Sequence, residues 1–140
     1  MQHSVSSLLK QHGLRDTQSR RLVLHALVKG NKPLSQKEVY ETIKRTDGSI
    51  NLVTVYRILE KLEELGMVHR HLSSGGFVLC SLEGHAGHHV FLSCQDCGKV
   101  EECADPELCR HEDRIARSAG FIPKTHLSEL LGLCSSCHTR

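Results

Sequence analysis

The sequence has 140 residues, of which 24% are charged, 39% hydrophobic and only 4% aromatic, so it suits one or two small globular units rather than a large enzyme. Seven Cys and eleven His, with no Trp, indicate that metal ligands are abundant where aromatic core residues are scarce. Because no apolar run of roughly 18 residues occurs and the first residues are polar and amphipathic, we expect neither a membrane span nor a signal peptide. We expect a cytosolic protein, in which cysteines bind zinc more readily than they form disulfides.

The charge is distributed unevenly along the chain. Residues 1–70 carry 12 Lys and Arg against 7 Asp and Glu, whereas residues 71–140 carry 6 against 9. All seven Cys lie in the second half, beginning at Cys80. The pattern indicates a basic half without cysteine and an acidic half rich in metal ligands.

The first half is predicted to be helical. Apolar spacing predicts a helix within 14–29, with Asp16 or Thr17 as its N-cap. A capping box at 35–38 begins a second helix, and one apolar stripe runs through 51–65. These helices are expected to pack their apolar faces together.

A hairpin is predicted after the third of these helices. Residues 67–72 and 77–80 flank a Ser-Ser-Gly-Gly turn at 73–76. Three helices followed by a hairpin is the order of a winged helix, in which the last helix meets base edges in the major groove.

The third helix carries a basic face opposite its apolar stripe. Thr54, Arg57 and Lys61 are spaced i, i+3 and i+7, with Tyr56 beside them. These positions fit a DNA-recognition helix, although a solvated basic face is the alternative interpretation.

The second half has the pattern of an α/β unit, which makes the whole chain α+β. Strands are predicted at 89–93, 99–102 and 125–131. A helix is predicted to begin after Asp105, because Asp at the N-cap followed by Pro is a typical helix start.

Two Cys-x-x-Cys pairs give the strongest chemical signal. Cys94 and Cys97 form the first pair, and Cys134 and Cys137 form the second. Two such pairs complete the tetrahedral all-sulfur shell of structural zinc. A redox-active pair is the alternative, which the presence of two pairs makes weaker.

Further side chains with ligand chemistry cluster in the sequence: His69, Cys80, His85, His88, His89, Glu101, Glu102, Cys109 and His126. His69 and Cys80 lie on the two arms of the predicted hairpin. Because adjacent strand residues point to opposite faces, His88 and His89 are expected to serve different sites.

Over nearly its whole length the sequence resembles the ferric uptake regulator family of bacterial metal-dependent repressors. The resemblance implies a winged-helix DNA-binding domain over 1–82, a hinge over 83–87, and a dimerisation and metal-binding domain with structural zinc over 88–140. It is carried by Gly13-Leu14-Arg15-x-Thr17-x-x-Arg20, Thr54-Val55-Tyr56-Arg57-Ile58-Leu59, Leu65-Gly66, His88-His89, Cys94-x-x-Cys97-Gly98-Lys99-Val100 and Gly132-x-Cys134-x-x-Cys137.

The resemblance also implies a homodimer that binds an A·T-rich palindrome in double-stranded DNA. Tyr56 and Arg57 would contact the bases, and Arg15 would reach the minor groove.

Within the family, iron and peroxide sensors supply a metal-binding His from the loop that holds Lys32-Pro33-Leu34 here, and usually a second His where this chain has Phe91. Both of these ligands are missing from this sequence.

Zinc-sensing members of the family resemble the chain better. Their pattern implies a regulatory site of His69, Cys80, His89 and Glu102, with His88 or His85 as alternatives to His89. A set of two imidazoles, one thiolate and one carboxylate suits Zn(II) better than Fe(II). We therefore expect a zinc-responsive repressor of metal-uptake genes, with an iron- or peroxide-responsive repressor as the alternative.

A third metal site found in parts of the family would use His88 and His126. Its other positions fall on Val90, which cannot bind a metal, and on Cys109, which can. Cys103 has no assigned role.

Two other classes of function would require different features of the sequence. A zinc hydrolase or deaminase needs a general base beside the metal, and the sequence offers no H-x-E motif for one, so no enzymatic activity is expected. A zinc-stabilised adaptor that binds other proteins is the second class. A DNA-binding protein differs from it in that its affinity for DNA falls steeply as the salt concentration rises.

Overall fold

The computed structural model describes residues 4–30, 32–80, 88–124 and 126–139. They belong to two compact units, Met1–Leu79 and Cys80–Arg140, which are considered separately below. The predicted hinge over 83–87, which includes His85, lies outside the described residues and stays a prediction. Among the described residues, the helices are all too short or too polar to span a bilayer.

The first unit is the predicted winged helix. Helices α2, α3 and α4 are followed by the hairpin of β1 and β2, as the sequence indicates. A preceding short helix, α1, was not predicted; it buries Val5 and Leu9 in the core of this unit. The elements are α1 Val5–Gln11, α2 Gln18–Lys29, α3 Gln36–Lys44, α4 Leu52–Glu64, β1 Val68–Arg70 and β2 Phe77–Leu79.

Side-chain caps fix where the three main helices begin. The side chains of Thr17, Ser35 and Asn51 each accept a hydrogen bond from the backbone N–H three residues later. Thr17, rather than Asp16, is the N-cap of α2, and Asp16 instead accepts a 2.6 Å bond from the Arg21 guanidinium. The Ser35 capping box is complete on both sides, as predicted.

The apolar stripe of α4 ends earlier than the sequence indicates. Leu65 was expected within the stripe, but it is the C-cap residue and is 37% exposed. Ile58, which was not part of the predicted stripe, is buried, and the opposite side of α4 is exposed to solvent. The buried side chains of α4 are Val55, Ile58, Leu59 and Leu62.

The wing is anchored to the helical part of its own unit. β1 and β2 are antiparallel, with His69 opposite Val78, and Leu34 adds a bridge to Phe77. Gly76 permits this bridge, because a Cβ at that position would lie 2.9 Å from the Pro33 Cβ.

The second unit is an α/β arrangement with a three-stranded sheet of order β4-β3-β5 among the described residues. β3 is antiparallel to β4 and parallel to β5. The strands agree with the predicted positions to within one or two residues. The elements are β3 His88–Cys94, β4 Val100–Cys103, α5 Pro106–Ser118, β5 His126–Gly132 and α6 Ser135–His138.

The two faces of this sheet carry different side chains. On β3, His89, Phe91 and Ser93 occupy one face, because strand residues alternate. The other face is joined to α5, since the Ser128 hydroxyl donates a 2.7 Å hydrogen bond to Glu112. The expected separation of His88 from His89 rests on the same alternation and stays a prediction, because the side chain of His88 is outside the described residues.

Candidate metal centres and nucleic-acid interface

The end of β3 and the end of β5 bring the four paired cysteines together. Register places Cys94 opposite Gly132, so the turn after β3 lies beside the segment that follows β5. One ligand atom from each cysteine lies within 4.8 Å of the others, and Cys97 Sγ is 3.8 Å from Cys134 Sγ. The predicted four-cysteine cluster is thus present: Cys94, Cys97, Cys134 and Cys137.

The electrostatics of this cluster favour a bound cation. Backbone N–H groups of Cys97 and Cys134 stabilise the Cys94 thiolate and lower its pKa to about 6. The neighbouring sulfur of Cys134, with burial, raises the pKa of Cys137 to about 12. Four thiolates this close can be deprotonated together only if a cation offsets their charge, which is what tetrahedral zinc supplies when it is bound.

A second group of metal-binding side chains lies on one face of the sheet of the second unit. Cys80, His89 and Glu102 offer ligand atoms within 4.8 Å of one another. His89 Nδ1 is 2.6 Å from Glu102 Oε1, and the two side chains are only 4% and 5% exposed. A half-buried thiol close to a buried imidazole and a buried carboxylate has the chemistry of a metal site.

His88 and His85 are the alternatives to His89 as the imidazole ligand, and the structure does not decide between the three. The side chain of His88, like all of His85, lies outside what the structure describes. His69 lies on β1 in the first unit, half-buried. Its part in the regulatory site stays a prediction.

The predicted third site has neighbours that the sequence did not indicate. His126 approaches Glu112 through Nδ1 at 2.7 Å and Asp113 through Nε2 at 3.1 Å. The hydrogen bond from Ser128 lowers the pKa of Glu112, whereas burial raises the pKa of the Cys109 thiol. Because the side chain of His88 is outside the described residues, a site using His88, Cys109 and His126 remains a prediction.

Glu112 and Asp113 could have been noticed in the sequence. They follow Cys109 by three and four residues, which places them on the same side of a helix as Cys109. Glu101, another candidate, forms an exposed ion pair with Lys99, and Cys103 is exposed at the end of β4.

The predicted DNA-contacting residues lie on the solvent side of the first unit. Arg57 and Lys61 are exposed on α4, while Thr54 and Tyr56 are half-buried near its amino-terminal end. Lys61 pairs with Glu64 at 3.2 Å. The basic character of this face therefore depends chiefly on Arg57.

The exposed Arg15 precedes the N-cap of α2. Its carbonyl oxygen accepts a 2.8 Å hydrogen bond from the Arg20 guanidinium, which fixes the backbone there. Arg15 is thus an exposed cationic side chain on an anchored backbone, which suits contact with a phosphate or a groove.

Comparison with known proteins identifies the family. The family model described as "Ferric uptake regulator family" matches residues 11–130. A ferric uptake regulation protein of Legionella pneumophila is 35% identical over 133 residues, covering 94% of this chain and 97% of the relative. One from Bordetella parapertussis is 33% identical over 135 residues, covering 96% of both.

The solved structures include a zinc uptake regulator in complex with zinc and DNA. It matches with a TM-score of 0.86 and 26% identity, over 96% of this chain and 90% of that one. The winged helix and the four-cysteine cluster of this chain agree with these matches to the family. Proteins of this family are metal-responsive, DNA-binding transcriptional regulators and not enzymes. The chain belongs to the ferric uptake regulator family.

Proposed function

We propose that this protein is a zinc-responsive repressor of metal-uptake genes, which binds operator DNA as a homodimer when its regulatory site is occupied. The observation that carries the proposal is the close group of Cys80, His89 and Glu102. The similarity to a zinc uptake regulator bound to zinc and DNA supports it.

The donor set favours zinc over the other metals of the family. A thiolate beside an imidazole is a soft combination that suits Zn(II), whereas Fe(II) and Mn(II) favour nitrogen and oxygen ligands. Glu102 adds one oxygen, and its side chain and that of His89 are both almost fully buried. Bound zinc would supply a tetrahedral centre of positive charge at this place.

His69 is proposed as the fourth ligand of the regulatory site. It lies opposite Val78 on the wing, and β2 ends at Leu79, directly before Cys80. A site that takes ligands from both units is complete only in one arrangement of the units. Such a site favours that arrangement by its differential affinity and thereby couples metal binding to DNA binding.

The proposed operator is an A·T-rich palindrome. A homodimer must present two recognition helices about 34 Å apart to reach successive major grooves. Arg57 and Tyr56 would contact bases there, and Arg15 would enter the minor groove. Without the fourth ligand, the competent arrangement is less populated and the apparent affinity falls with that fraction.

We expect the Cys80→Ala variant to lose zinc-dependent operator binding while keeping its fold, its dimer and the four-cysteine zinc. The reason is that Cys80 supplies the only thiolate of the regulatory site and none of the four-cysteine cluster. Operator affinity would be measured by fluorescence anisotropy at buffered free zinc. Cys103→Ala, which removes an exposed thiol of the same unit, is the matched control. Unchanged zinc dependence in Cys80→Ala would refute the proposal.

An iron- or peroxide-responsive repressor is the alternative, and the names of the curated relatives favour it. The alternative predicts that Fe(II) restores operator binding at a lower free concentration than Zn(II). Titrating the protein with Zn(II), Fe(II) and Mn(II), after removal of weakly held metal, distinguishes the two.

The edge of β5 is the proposed dimer interface. β5 lies at one edge of the sheet and presents Leu130 and Leu131 to solvent, followed by Leu133, each more than half exposed. An apolar edge strand of this kind can pair with a second copy of itself.

We therefore expect Leu131→Glu combined with Leu133→Glu to yield monomers with intact four-cysteine zinc. Two buried charges at the interface would each cost more than the apolar contact they replace. Light scattering after size-exclusion chromatography measures the mass, and Val28→Glu, an equally exposed position in the first unit, is the control. A dimer in the double variant would place the interface elsewhere.

A further inference from the structure

The regulatory site has an apolar neighbour on its own sheet face. Phe91 lies two residues after His89 on β3, directly opposite Glu102 of β4, and is fully buried. Cross-strand neighbours on one face have Cβ atoms about 5 Å apart, so Phe91 is beside Glu102, a proposed ligand of the regulatory metal. Phe91 therefore borders the group formed by Cys80, His89 and Glu102.

A second carboxylate lies on the other side of Phe91. Register places Glu129 of β5 opposite Phe91, so Glu102, Phe91 and Glu129 form one row across the three strands. The strands at the ends of such a row are about 10 Å apart, and Phe91 occupies the middle position of the row, between Glu102 and Glu129. Without the ring, Glu129 would be the nearest additional oxygen ligand along this row.

Glu129 is also held by a hydrogen bond that points along the sheet. The Ser93 hydroxyl donates to Glu129 Oε1 at 2.7 Å, and Ser93 is buried. Ser93 and His89 lie on opposite sides of Phe91 along β3, so this bond directs the carboxylate away from His89. The register and this hydrogen bond thus both place Glu129 on the side of Phe91 that is away from Glu102 and His89.

We propose that Phe91 restricts the regulatory metal to four protein ligands by excluding Glu129 and water, and thereby selects zinc over manganese and iron. The proposal rests on the proposed function of this site. Zinc is stable with four ligands, whereas Mn(II) and Fe(II) favour higher coordination with more oxygen atoms. An apolar side chain that blocks a fifth ligand therefore penalises the competing metals more than zinc.

The test uses Co(II) as a spectroscopic probe in the full-length dimer, with zinc already in the four-cysteine cluster. Four-coordinate Co(II) absorbs strongly in the visible range, and five- or six-coordinate Co(II) absorbs weakly. We expect intense bands in the unaltered protein and weak, shifted bands in Phe91→Ala. We also expect the affinity for Mn(II) relative to Zn(II) to rise by about tenfold or more in that variant.

Three further variants make the result specific. Phe91→Leu keeps a large apolar side chain that still blocks a fifth ligand, and it should keep the intense bands, whereas the smaller side chains of Ala and Val leave space for one. Combining Phe91→Ala with Glu129→Gln shows whether the added ligand is the carboxylate, in which case the intense bands return, or water, in which case they do not; either result supports the proposal. If Phe91→Ala does not fold, as judged by circular dichroism and retained zinc, Phe91→Val replaces it.

Intense bands and an unchanged metal preference in a folded Phe91→Ala or Phe91→Val protein would overturn the proposal. That failure is distinct from failure of the proposed function. In the first case Cys80→Ala still abolishes the Co(II) thiolate absorption of the regulatory site, whereas in the second case it does not.

Discussion

Arg57→Ala is expected to abolish specific operator binding. Arg57 is exposed on α4, whose buried side holds the helix firmly on the core of its unit. A bidentate contact between Arg and a base contributes about 1 to 3 kcal/mol of discrimination, and a homodimer makes each contact twice. The loss of affinity could therefore reach about a thousandfold, since each 1.4 kcal/mol is about tenfold.

The variant should keep its zinc and its dimer, because Arg57 belongs to the first unit, whereas the four cysteines and β5 belong to the second. Tyr56→Ala is expected to act in the same way. Lys29→Ala, an exposed cation in the last turn of α2, is the control for loss of charge alone and should change the affinity only slightly. Equal operator affinity in Arg57→Ala and Lys29→Ala would show that α4 does not read DNA.

The helix starts of the first unit could be predicted because their cause is local. Thr17, Ser35 and Asn51 each bind a backbone N–H only three residues away, so the sequence contains both partners. The sequence did not decide between Asp16 and Thr17 as the N-cap of α2. Asp16 has the same capping chemistry as Thr17 but is held by Arg21, which only the folded chain shows.

α1 and the end of α4 show where local reasoning is insufficient. α1 has seven residues and is too short to be stable alone, so its existence depends on burying Val5 and Leu9. Leu65 continues the apolar spacing of α4 but follows its last residue, and the chain turns there at Gly66, where φ is 72°. Periodicity alone does not indicate that the backbone changes direction.

In the second unit, alternation along one strand was predictable but pairing between strands was not. The position of His89 on the same face as Phe91 needed only the period of two residues in a strand. The row of Glu102, Phe91 and Glu129 needed the register of three strands, including a parallel pair whose members are 38 residues apart in sequence. The spacing of Glu112 and Asp113 after Cys109 was visible in the sequence, but their contacts with His126 join α5 to β5 and needed the packing of the helix on the sheet.

Cys94→Ser is expected to remove the tightly held zinc and, with it, the fold and the dimer of the second unit. The four cysteines join the end of β3 to the segment after β5, and Cys134 N–H donates to Cys94 Sγ at 3.3 Å. The second unit buries little besides Phe91, Cys94, Cys109 and Cys137 among its described apolar residues, so its own core is small.

The magnitude follows from comparing metal binding with the stability of a small domain. Structural zinc contributes about 10 to 16 kcal/mol in peptides that fold around it, and a domain of this kind is stable by about 5 to 15 kcal/mol. Losing one thiolate should therefore leave too little free energy of folding to hold β3, β5 and the carboxyl-terminal segment together.

Zinc content after mild chelation should fall from about one per chain to a small fraction. Circular dichroism and light scattering should show loss of structure and of the dimer, while Cys103→Ser, at an exposed position outside the cluster, should match the unaltered protein. A folded, dimeric Cys94→Ser protein would mean that the sheet is stable without the cluster, and the four cysteines would then need another role.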